Sequence, residues 1–133
     1  MSKENVETLR LALEAFNRRD KTSWIAACDS QIENFRPREW PENAPILGAE
    51  SIWDFYVEAV QAWDEGAFKW GELLDVENDQ IVANQIRTMR GKASGASVAW
   101  SYWVLFTFRN GKVLRSEWFA DRGEALEAAG LSG

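Results

Sequence analysis

The ten residues AWSYWVLFTF, Ala99–Phe108, constrain this chain more than any other stretch. Side chains along a strand point alternately to its two faces. One face of this strand carries Trp100, Tyr102, Val104, Phe106 and Phe108, and the other carries Ser101, Trp103, Leu105 and Thr107. Both are substantially apolar, so each needs a cover. The next residues, RNGK, contain Asn110-Gly111, the favoured two-residue hairpin turn. The chain then returns as VLRSEWFA, a second long strand.

The rest of the chain supplies the covers. Val6, Leu9, Leu13 and Phe16 recur at three- and four-residue steps and predict an amphipathic helix over about residues 3–18. Asp20 is placed to cap a short second helix holding Trp24, Ile25 and Cys28. QIENFRP reads as a strand stopped by Pro37, and residues 37–48, which hold all three prolines, as a loop. Ala49–Trp63 predicts a third helix with a wide apolar face, ended near Gly66. From there the period changes to two, with strands AFKWGELLDV and QIVANQIRTMRG joined by the turn ENDQ. Asp121 and Glu124 have the spacing of a capping box that opens a short terminal helix closed by Gly130.

Helices followed by a strand meander predict one α+β domain over residues 1–133: a curved antiparallel sheet wrapped around the N-terminal helices, a cone-shaped α+β barrel. Helices and a cavity would cover the concave face, and a second subunit of a homodimer the convex one. Composition narrows the chemistry. The net charge of −6 disfavours nucleic acid and anionic membrane surfaces as partners. No stretch approaches the length of a membrane span, and the single cysteine, Cys28, fits a reducing cytoplasm. With no histidine, His-dependent nucleophilic triads are excluded and the commonest zinc ligand is missing. The sequence therefore points to no metal and no cofactor. Eight tryptophans favour a lined cavity or an interface.

LALEAFNRRD in the first helix, LGAESIWDFY opening the third, RNGKVLRSEWFAD at the last hairpin and the tail EALEAAGL together resemble the SnoaL-like branch of the nuclear-transport-factor-2-like superfamily. That branch includes polyketide cyclases, limonene epoxide hydrolase and ketosteroid isomerase. The resemblance spans almost the whole chain and implies a cone-shaped small-molecule site. It also implies where catalytic groups would lie. Trp118 stands where the epoxide hydrolase and the cyclases have an acid. Gln85 and Arg87 stand in place of an assisting Arg and Asp, and Glu33 and Phe35 in place of a water-holding Tyr and Asn. None of those identities is retained.

On this frame Trp100, Tyr102 and Trp118 face the cone, with Tyr56, Trp63 and Phe68 closing it from the other side. Glu33, on one face with Phe35, is the candidate general base. Arg87 and Gln85 would stabilise developing negative charge, and Tyr102 or Tyr56 would donate a proton. The partner expected is a small apolar molecule. As an enzyme, the protein would do cofactor-free isomerisation, cyclisation or hydration of a polycyclic or terpenoid-like substrate. The alternatives are a non-catalytic ligand-binding protein and a dimeric interaction module of the same fold.

Overall fold

The computed structural model describes residues 3–61, 63–64 and 68–130. The chain runs α1 (Lys3–Asn17), α2 (Lys21–Ala26), β1 (Cys28–Phe35), β2 (Ile46–Leu47), α3 (Ala49–Val60), β3 (Trp63–Asp64), β4 (Lys69–Val76), β5 (Gln80–Gly91), β6 (Ser97–Arg109), β7 (Lys112–Phe119) and α4 (Arg122–Ala128). The seven strands form one open sheet in the order β2-β1-β7-β6-β5-β3, with β4 also pairing along β5. The α+β architecture matches the sequence expectation, with two differences. The sheet is mixed, because β1 runs parallel to β7. Among the described residues the barrel does not close.

Other boundaries also differ from the sequence reading. Helix α2 ends at Ala26, so Cys28, expected within it, opens β1. The proline-containing loop includes β2, which pairs antiparallel with β1. Helix α3 ends at Val60, so Trp63 belongs to β3 beside Gly91 and not to the helix face. Gly66 and Ala67, expected at a helix end and a strand start, lie outside the described residues.

The local signals elsewhere work as chemistry requires. Asp20 accepts the Ser23 N–H at 3.1 Å and the Ser23 hydroxyl at 2.7 Å, fixing the start of α2. Asn110 and Gly111 both take positive φ (53° and 74°), the left-handed pair that a two-residue hairpin turn needs. On α1 the apolar stripe is buried through Leu9 and Phe16, while Arg10 pairs with Glu7 and Glu14 on the exposed side.

From Val104 to Phe108, both faces of β6 are covered by this chain. On the concave face, Val104, Phe106 and Phe108 join Leu9, Phe16, Trp24, Ile52 and Trp53 in the main core. On the convex face, Val82 and Leu105 pack with Ala125 and Leu126 of α4, flanked by Leu74, Val76, Trp103 and Phe119. The cover expected from a second subunit is thus supplied, over this part of the sheet, by α4. An irregularity in β4 between Trp70 and Leu73 serves both layers. The extra residue reverses the strand's parity. Phe68, Trp70 and Leu73 therefore pack inward, and Leu74 and Val76 outward.

Among the described residues no helix is long and apolar enough to cross a membrane. Helix α4 depends on its cap, where the Asp121 carboxylate accepts the Glu124 N–H at 2.8 Å. Replacing Asp121 with Ala should cost about 0.5–2 kcal/mol in denaturant unfolding, whereas Asp121→Asn should be nearly silent. Equal losses in both variants would mean that the carboxylate does more than cap.

Candidate functional site

The three N-terminal helices do not fill the concave side of the sheet. A cavity of about 80 Å³ remains between Leu9, Leu13 and Phe16 of α1, Ile52 and Tyr56 of α3, and the sheet residues Trp70, Gln85, Trp100, Phe106, Ser116 and Trp118. Its walls are mainly aromatic rings in mutual contact. Trp118 stacks on Tyr56 with centroids 5.4 Å apart and planes 20° from parallel. Trp100 meets Trp118 edge-on at 5.7 Å. Phe16 touches Trp53, Tyr56 and Phe68, knitting α1 to α3 and to the approach to β4.

One polar cluster interrupts this lining. Asn34 of β1 and Ser116 of β7 are register partners in the parallel pair, so their side chains emerge on the same face. The Asn34 amide, fully buried, donates to the Ser116 hydroxyl at 2.8 Å and to the Tyr56 hydroxyl at 3.1 Å. Burial pushes the phenol well above its ordinary range, against the opposing influence of Ser116 and Trp118 beside it. It is a neutral group at every physiological pH. Cys28, also on the cavity wall, is pushed up to about 12 by burial. It too stays protonated.

The structure brings together part of the set expected from sequence. Tyr56, Phe68, Gln85, Trp100 and Trp118 all line the cavity. Glu33 and Phe35 do not. Their register partners on β7 are Arg115 and Glu117, which pair with Thr107 and Leu105 on the convex face of β6. At this end of β1 the inward residues are Ile32 and Asn34, one position away. Phe35 is instead covered by the Arg115 guanidinium, 4.2 Å above its ring. A candidate base at Glu33 therefore lies on the wrong side of the sheet.

Arg87 is on the concave side but outside the cavity lining, with its guanidinium 4.9 Å over the Phe68 ring. Burial, followed by the nearby Arg19 charge, lowers its proton affinity. Tyr102 faces the concave side and is enclosed by Trp100, Trp118 and Trp40 without reaching the cavity. Trp63 packs by Gly91, away from it. The proposed catalytic trio of Glu33, Arg87 and Tyr102 does not converge.

The sequence reading missed Asn34 and Trp40. Alternation with Ile32 was the available signal for Asn34. For Trp40, within a loop, periodicity offers none. Trp40 closes the aromatic cluster by meeting Tyr102 at 5.8 Å and Trp118 at 5.9 Å, both edge-on.

A curved sheet folded over three helices around an apolar interior defines the nuclear-transport-factor-2-like class of α+β proteins. Within it, the SnoaL-like domain model matches residues 9–116, and the chain belongs to that family. Solved structures agree on the fold. An NTF2-like protein of unknown function from Burkholderia pseudomallei K96243 is 22% identical with a TM-score of 0.74, and the match covers 96% of this chain and 97% of that one. TerC, co-crystallised with polyporic acid, is 18% identical with a TM-score of 0.75 over 96% and 99% of the two chains. A putative SnoaL-like polyketide cyclase from Jannaschia sp. CCS1 is 19% identical with a TM-score of 0.76 over 91% and 90%. No curated protein matches the sequence. At these identities the likeness establishes the scaffold and not the chemistry.

The state of Cys28 is directly measurable. In the folded protein at pH 8 a thiol-disulfide reagent should leave it unmodified for hours, while in denaturant it should react within minutes. Rapid modification of the folded protein would mean that the cavity wall at α2 and β1 is open to solvent.

Proposed function

We propose that this protein binds a small, neutral, ring-containing molecule in its cone and does not act on it by proton abstraction. One observation carries this reading: the described cavity lining includes no carboxylate, and its two titratable groups, Cys28 and Tyr56, are both held protonated. A general base must be deprotonated near neutral pH and within reach of the substrate. Among the described residues, none meets both conditions. What the walls do offer is stacking area and neutral hydrogen-bonding groups, the usual equipment of a small-molecule site. The co-crystallisation of TerC with polyporic acid supports a small-molecule role for the scaffold.

Size narrows the ligand. An apolar cavity of roughly 150 Å³ takes up benzene. This one, at about 80 Å³, is smaller still. A single ring, admitted with rotamer shifts of the lining, fits better than the polycyclic substrates the family resemblance suggests. Calorimetric titration with benzene, toluene and cyclohexanone should give saturable binding. Ala12 lines the cavity. Ala12→Leu should fill the space and weaken binding about tenfold or more without lowering the melting temperature. If none of the three compounds gives heat or raises the melting temperature, the binding reading falls.

For assembly, we propose that a second copy covers the part of the convex face beyond α4, where Ala99 and Ser101 are exposed beside half-buried Trp103. Sedimentation at micromolar concentration should give twice the chain mass, and Ala99→Glu should return a folded monomer. A wild-type monomer would overturn this.

A further inference from the structure

The cone carries a hydrogen-bond donor that the fold does not use. Trp100 Nε1 is buried and has no partner among the described residues, although the indole lines the cavity. The Trp70 N–H, by contrast, reaches the Leu9 carbonyl at 3.3 Å. A buried indole N–H normally finds an acceptor, and leaving it without one is a standing cost to the fold.

The polar cluster adds donors of the same neutral kind. The Tyr56 and Ser116 hydroxyls both accept from the one Asn34 amide group, and each keeps a proton of its own to place. The Asn34 carbonyl oxygen, which has no hydrogen-bond partner, takes neither. Both Tyr56 and Ser116 line the cavity. The described lining therefore carries neutral donors and no charged side chain.

We propose that the cone selects a neutral ring compound bearing an acceptor oxygen, such as a ketone, aldehyde or ether, and that this oxygen takes the Trp100 indole N–H. The proposal rests on the small-molecule reading above and names the class of molecule. A cation finds no carboxylate among the described lining residues. A pure hydrocarbon would leave the indole unpaired.

Cyclohexanone and methylenecyclohexane are nearly the same shape and differ in exchanging the acceptor oxygen for a methylene group. Their dissociation constants should be measured on the wild type and on Trp100→Phe, which keeps an aromatic wall and removes the N–H. The wild-type preference for the ketone over the alkene should shrink about fivefold to tenfold in the variant. In nitrogen-15 spectra of the wild type, one indole N–H signal should move downfield with the ketone and stay in place with the alkene. If Trp100→Phe does not fold, the wild-type spectrum decides alone. Binding of both compounds with an unchanged ratio, or with no ketone-specific indole shift, would overturn the proposal and leave the small-molecule reading standing. Failure of both compounds to bind the wild type would remove that reading and this proposal together.

Discussion

The stack of Tyr56 on Trp118 joins the third helix to the middle of the sheet, and most of the interior is organised around it. The ring contributes apolar area to both layers. Its hydroxyl, carried deep into the protein, must be satisfied there or the burial is lost to desolvation. Asn34, itself held by Ser116 on the adjacent parallel strand, answers that need. Phe16 and Trp24 close on the edges of the same ring from α1 and α2. A single tyrosine thus ties together three helices and two strands, with polar atoms that have nowhere else to go.

The two apolar faces of β6 make demands of different size. The concave face meets three helices, yet rings as large as Trp100, Trp118 and Phe16 cannot tile a curved surface without gaps, and the cavity is what remains. The convex face is served by one helix of seven residues, held by a side-chain cap at its start. The parity reversal in β4 lets one strand contribute to both layers, which a regular strand with the same residues could not do.

Much of the scaffold was legible because its signals are local. The Asp20 and Asp121 caps, the Asn110-Gly111 turn and the stripe of α1 each depend on a few neighbouring residues and need no knowledge of the rest. The site was only partly legible, for a reason particular to strands. QIENF offers Ile32 and Asn34 on one face and Glu33 and Phe35 on the other, and a one-residue choice moves every side chain across the sheet. The aromatic Phe35 argues for its own burial, but cation–π cover from Arg115 satisfies it on the convex side. Trp63 was misplaced by continuing a helical period three residues past its end. Trp100 was legible from the alternation along β6, whereas Trp118 was placed by the family resemblance: the β6–β7 ladder shifts by one residue between Thr107 and Phe108, and strict counting from the Asn110-Gly111 turn would send Trp118 to the other face.

Trp40 reaches the aromatic cluster from a loop whose other residues contribute little to the core. Arg38, Glu39 and the segment from Pro41 to Pro45 are exposed, while the loop is braced from within by hydrogen bonds from Arg36 to the Ala44 carbonyl and from Asn43 to the Arg38 carbonyl. Two edge-on ring contacts, each worth about 0.5–1.5 kcal/mol, hold Trp40 against Tyr102 and Trp118. The outer ring of the aromatic cluster is therefore anchored through a surface loop, while Trp100 and Trp118 are anchored by strand pairing. Substitutions in the exposed loop can loosen the seating of Trp40 and leave the strand-borne rings where they are, so the two parts of one cluster can drift independently during evolution.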